Sequence, residues 1–75
     1  MSWIKLNHTT GVEYVNLNQV YKINRTSPVE LTFYDANSIL PISFTFNSAQ
    51  DLNEVLLKLE AIVSIIDLDK LAPQR

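Results

Sequence analysis

The residues able to carry chemistry are few and scattered along the chain. There is one histidine, His8, and no cysteine, with eight acidic and six basic side chains in 75 residues. His8 stands beside Thr9 and Thr10 in the stretch that reads as the first turn. A general base there needs a nucleophile or an orienting carboxylate at hand, and the sequence places neither. The expectation for His8 is a solvated turn residue. Asp67 and Asp69 stand two apart, but no set of Asp, Glu and His has the spacing of a calcium loop or a transition-metal site. The missing cysteines exclude zinc ribbons and thiol catalysts. A chain with a single glycine cannot build a Gly-rich phosphate loop. Glu54 and Lys58 form an i,i+4 pair of the favourable order, a solvated helix contact without further role. No catalytic residue, metal ligand or cofactor is therefore assigned. The expectation is a protein that is not an enzyme, unless chains build a site between them around His8.

Binding rather than catalysis is where the side chains suggest something. In the strand-rich part, strict alternation turns Ile4, Leu6, Leu31, Phe33, Ile42, Phe44 and Phe46 to one face. The other face receives Trp3, Lys5, Glu30, Thr32, Tyr34, Ser43 and Thr45, with Tyr14 and Lys22 joining them. Trp3, Lys5, Tyr14, Lys22 and Tyr34 are the candidate binding face. Rings interleaved with lysines can stack nucleic-acid bases or bind a protein. The competing reading has Trp3 and Tyr34 simply packing across strands or inside an oligomer. A net charge of −2 with scattered basic residues disfavours nucleic acid as the partner.

The elements that position these residues follow from one change of composition. β-Branched and aromatic residues dominate up to Phe46 and helix formers thereafter. The fold class is α+β, a single domain over residues 1–75. It comprises an antiparallel β-meander of about five strands followed by one C-terminal helix packed on the sheet. The strands are expected at Trp3–Asn7, Val12–Leu17, Val20–Asn24, Val29–Tyr34 and Ile39–Phe46. Gly11, the only glycine, supplies the positive φ that closes the first hairpin. Ser27-Pro28 and Asp35-Ala36-Asn37-Ser38 mark later turns. The step at Leu17-Asn18-Gln19 is too short for a crossover, so the pairing must be antiparallel. Pro41 cannot donate to a ladder, so the fifth strand should lie at an edge or carry a bulge. Ser48-Ala49-Gln50-Asp51 is a capping box that starts a helix expected to run to about residue 66.

That helix has two apolar sides. Leu52, Val55, Leu56, Leu59, Ile62, Val63 and Ile66 form the stripe expected on the sheet. Leu57, Ala61, Ile65 and Leu68 form a second line on the opposite side and are the candidate oligomer interface. In so small a domain a second copy of the chain is the expected cover, with a protein or small-molecule partner as the further prospect. The β-branched run from Ile62 to Ile66 also suits a helix that stops near Ala61, followed by a short exchanged strand. Residues 72–75 are expected as a frayed tail. No apolar run approaches the roughly 18 residues that span a bilayer, so no membrane insertion is expected. The opening residues lack the basic and apolar regions of a secretory signal, which sets the expectation of a soluble, cytoplasmic protein.

Ile4-Lys5-Leu6, Gly11, Asn16, Val20, Ile23, Pro28, Val29, Leu31 and the Ser48-led helix resemble small bacterial proteins of the FlbD/SwrD flagellar-motility type. The resemblance covers most of the chain and implies a flagellar-motility accessory role. The order of a strand-rich sheet followed by one helix also resembles the PC4-type single-stranded DNA-binding modules. It implies a dimer joined through that helix. Those modules are basic, whereas this chain is acidic. Small phage or bacterial regulators share the same economy of parts, and the reading taken forward is a non-catalytic, homo-oligomeric binding module.

Overall fold

The computed structural model describes residues 3–65, 67 and 68, and among them the chain forms five antiparallel strands followed by a helix. The strands are β1 (Trp3–His8), β2 (Gly11–Asn16), β3 (Val20–Ser27), β4 (Glu30–Asp35) and β5 (Ile42–Thr45); the helix is α1 (Ala49–Ile62). The α+β class and the antiparallel pairing are those expected. The strands divide, however, into a β1-β2 hairpin and a three-stranded sheet of order β3-β4-β5.

The division has a local cause. After β2 the chain makes a 3₁₀ turn at Leu17–Gln19, where the Asn16 side chain accepts from the Asn18 N–H and the Val20 N–H donates back to the Leu17 carbonyl. A side chain that caps its own turn offers the backbone an alternative to the ladder. β2 and β3 therefore leave this corner on different sheets instead of pairing. The hairpin tip returns to the second sheet at one point, where the Thr9 amide and hydroxyl both donate to the Thr45 carbonyl, at 2.8 and 2.7 Å.

Turn chemistry accounts for the remaining connections. Gly11 has φ +149°, and the hairpin pairs His8 with Gly11. Ser27 accepts from the Val29 amide, and the Arg25 guanidinium donates to the Pro28 carbonyl across the β3-β4 turn. Asp35 accepts from the Asn37 amide in the next turn, where Asn37 also donates to the Gln19 side chain. β5 is an edge strand that begins directly after Pro41. It is shorter than the expected Ile39–Phe46, and Ile39, 98% exposed, stands with Leu40 in the loop before it.

The core is one cluster of Leu6, Leu31, Phe33, Phe44, Phe46, Leu52 and Leu59, contributed by both sheets and α1. Phe46 lies past β5 yet stays buried, its N–H donating to the Val29 carbonyl at 2.8 Å. Ile4, Val55 and Leu56 pack around the cluster and are half-buried. Ile42 departs from expectation: it shares the face of Phe44 but opens on the recess between the sheets and is 47% exposed.

α1 opens as its capping box requires, with the Asp51 amide donating to the Ser48 hydroxyl at 3.1 Å. It closes at Ile62, where the Val63 N–H donates to the Leu59 carbonyl and Val63 takes an extended conformation. The helix thus ends about four residues before the longer estimate, near the alternative stop at Ala61. β-Branched residues from Ile62 onward lose χ1 freedom in a helix, which favours an end there. Among the described residues no strand follows it. Ile66 and the tail at 72–75 lie outside the described residues.

Candidate binding surfaces

The five residues assigned to one open face are shared between the two sheets. Lys5 stands opposite Tyr14 and Trp3 opposite Asn16, so Trp3, Lys5 and Tyr14 occupy one face of the β1-β2 hairpin. Trp3 and Tyr14 are exposed and line a recess of about 340 Å³ together with Gln19, Asp35, Ile42 and Phe44. Lys22 and Tyr34 are partners in the β3-β4 ladder. The Lys22 ammonium sits 4.9 Å from the Tyr34 ring centroid, and the Tyr21 ring lies tilted against the same ring at 6.2 Å. Among the described residues no ring or cation–π contact joins the two groups. A single aromatic platform requires one continuous sheet, and the corner at Leu17–Gln19 interrupts it. Tyr34 is moreover already covered by its own neighbours.

Beyond Tyr34 the outward side of the second sheet is a hydroxyl ladder. Thr32 shares a 2.8 Å hydrogen bond with Ser43 and a 3.3 Å contact with Thr26, whose hydroxyl also donates to the Glu30 carboxylate at 2.6 Å. These bonds satisfy the buried Thr32 hydroxyl and tie β3, β4 and β5 together. This face is structural.

His8 is not the solvated turn residue expected from its neighbours. It is the last residue of β1, its side chain is 7% exposed, and its ring lies 4.9 Å from that of Phe44. Alternation along β1 explains this, since Ile4, Leu6 and His8 share the inward face. Nδ1 lies 3.3 Å from the Thr10 hydroxyl. Nε2 is 3.7 Å from Glu13 Oε2, beyond hydrogen-bond reach, and has no hydrogen-bond partner. The Thr10 hydroxyl, His8 and Glu13 thus stand in a row, with the Nε2–Oε2 separation too long for a hydrogen bond. The observed work of His8 is packing on Phe44. Among the described residues no group of three or more His, Asp or Glu side chains gathers in a way that could hold a metal.

Comparison of the chain with protein-family models, with curated proteins and with solved structures finds no match.

The helix supplies the remaining surfaces. Leu57 and Ala61 lie on its outward side and are exposed, as are Ile65 and Leu68 further along the chain. Because α1 ends at Ile62, Leu57 and Ala61 belong to one helix face, while Ile65 and Leu68 lie beyond α1. Ile62, assigned to the core stripe, is 63% exposed; it lines a groove instead. That groove, about 290 Å³, runs between β1 and α1 and is lined by Ile4, Lys5, Leu6 and Asn7 on one side and Val55, Lys58, Leu59 and Ile62 on the other. Sequence reasoning missed it. Four consecutive β1 residues line it, the mark of a strand presenting its edge rather than a face. Edge exposure depends on which strands pair, and no residue pattern encodes that directly.

Proposed function

We propose that this protein is a non-catalytic interaction module that associates with copies of itself through the outward side of α1 and the segment after it. The observation that supports this reading is a run of large apolar side chains left in solvent: Leu57 at 68%, Ile65 at 55% and Leu68 at 74% exposure, within twelve positions of one another. A domain of 75 residues buries only about 60% of its unfolded surface and gains much from covering such a run with a partner. Among the described residues no helix is long and apolar enough to cross a membrane.

Light scattering of the purified chain tests the proposal. Association should give a mass at least double the 8.6 kDa of one chain at micromolar concentration. Leu57→Asp combined with Ile65→Asp should return it to one chain with its circular dichroism intact, because both side chains are exposed. A monodisperse single chain across the whole concentration range overturns the reading.

A further inference from the structure

The free edge of β1 and the groove beside it form a second surface, separate from the one proposed for self-association. In an antiparallel pair, hydrogen-bonded and non-hydrogen-bonded residue pairs alternate. The pair flanking the Thr9-Thr10 turn, His8 and Gly11, is hydrogen-bonded, so Leu6 with Glu13 and Ile4 with Val15 are too. The N–H and C=O groups of Trp3, Lys5 and Asn7 therefore point away from β2. Thr9 has the same parity, and its amide does leave the hairpin, donating to the Thr45 carbonyl. From that anchor β5 diverges. Among the described residues no other backbone hydrogen bond engages this edge of β1. A row of unpaired donors and acceptors on a strand edge is a template for another strand.

The far wall of the groove is apolar, made by Val55, Leu59 and Ile62 of α1. Its charges are of one sign: Lys5 and Lys58 line it and no carboxylate does, in a chain whose net charge is −2. Neither ammonium is in an ion pair among the described residues. A second copy of β1 added across a twofold axis would gather two Lys5 and two Lys58 side chains at one seam with no counter-charge. Like charges so placed are destabilising. The same pair of lysines attracts carboxylates.

We propose that β1 binds an extended segment of another protein by strand addition, and that this segment alternates apolar with acidic residues. Its main chain pairs with the outward groups of Trp3, Lys5 and Asn7. Its apolar side chains enter against Leu6, Val55 and Leu59, while its carboxylates meet Lys5 and Lys58. Main-chain pairing supplies the affinity and the lysines the choice of partner.

The test uses the full chain and a short capped peptide alternating valine with glutamate, followed by calorimetry and by residue-resolved amide hydrogen exchange. The free protein should exchange the Lys5 and Asn7 amides readily and the Leu6 amide slowly. Saturating peptide should protect Lys5 and Asn7 and leave Leu6 unchanged. Lys5→Glu with Lys58→Glu should weaken binding by about tenfold or more, and raised salt should weaken it in the parent. A valine–lysine peptide that binds equally well, or binding without protection of those two amides, overturns the proposal. So does protection of both amides in the peptide-free protein: protection that grows with concentration assigns the edge to a second copy, and protection at every dilution assigns it to the chain itself. Repeating the titration in Leu57→Asp, Ile65→Asp separates the two surfaces, since peptide binding should persist there whatever becomes of self-association.

Discussion

Phe44 touches more of the structure than any residue type alone would suggest. It is buried, meets Phe33 edge-on at 5.7 Å, and lies 4.9 Å from the tilted His8 ring. Truncation to alanine leaves a cavity between both sheets and α1 and should cost about 3 to 5 kcal/mol. A domain of this length has a total stability of only about 4 to 11 kcal/mol. Phe44→Ala should thus melt far below the parent or fail to fold; an unchanged melting temperature would contradict the register of β4 and β5. His8→Ala removes the covering ring and should destabilise by about 2 kcal/mol, whereas His8→Phe, which keeps an aromatic ring on Phe44 and removes the unpartnered Nε2, should hold the parent's stability in a urea titration. Equal losses in both variants would mean that the imidazole nitrogens matter more than the packing. At Gly11, φ +149° is a region that L side chains rarely adopt, and a Cβ would meet no atom within 4 Å. Gly11→Ala should therefore cost about 1 to 3 kcal/mol through the backbone alone. Phe44 and Gly11 were legible in the sequence because each obeys a rule local to its own strand or turn. His8 was not: its neighbours Thr9 and Thr10 suggest a turn, and only the length of β1, which runs one residue further than the alternation pattern demanded, puts the ring inside.

Elements were legible wherever a cap or a turn residue fixes them. Ser48 starts α1 at the expected place because its hydroxyl takes up an amide that the helix cannot satisfy. Ser48→Ala should cost about 1 kcal/mol and reduce helical circular dichroism on mild heating; no change in either would show that the first turn is held by the packing of Leu52 alone. The end of α1 was harder to place, because β-branched residues at Ile62, Val63, Ile65 and Ile66 continue the helical spacing of apolar positions while disfavouring the helix itself, and it is conformation rather than spacing that decides at Val63. Strand β5 shows the same competition. Ile39 and Leu40 continue the alternation that suggests a longer strand, but Pro41 has no N–H to give to β4 and the pairing starts only at Ile42. The corner at Leu17–Gln19 was visible as a short step and its antiparallel consequence was correct. Its effect on pairing was not visible, because a step that forbids a crossover does not require the two flanking strands to be neighbours. This one misjudged adjacency scattered the candidate face of Trp3, Lys5, Tyr14, Lys22 and Tyr34 over two sheets and created the free edge of β1.

At the scale of the whole molecule, two sheets with few direct connections behave as one structure only if the core joins them. The hydrogen-bond link is narrow, Thr9 to Thr45. The apolar link is broader: Leu6 brings the hairpin into the cluster with Leu31, Phe33, Phe44 and Phe46 of the second sheet and its exit, and Leu52 and Leu59 of α1 close it from above. Leu6, 2% exposed, is the hairpin's only fully buried contribution to that cluster among the described residues. Unfolding should accordingly be a single transition. Trp3 is the one tryptophan and lies on β1, so its fluorescence reports the hairpin, while far-ultraviolet circular dichroism is dominated by α1. The two signals should fall together in urea, as coincident probes do in a two-state domain. Leu6→Ala should shift both to lower urea by the same amount, with a loss of about 2 to 5 kcal/mol. If tryptophan fluorescence changed first and the helical signal stayed, the hairpin would be an appendage that docks and undocks on a core formed by β3, β4, β5 and α1. In that event the edge of β1 would be presented only while the hairpin is docked, and peptide binding there would stabilise the hairpin against urea without moving the helical transition.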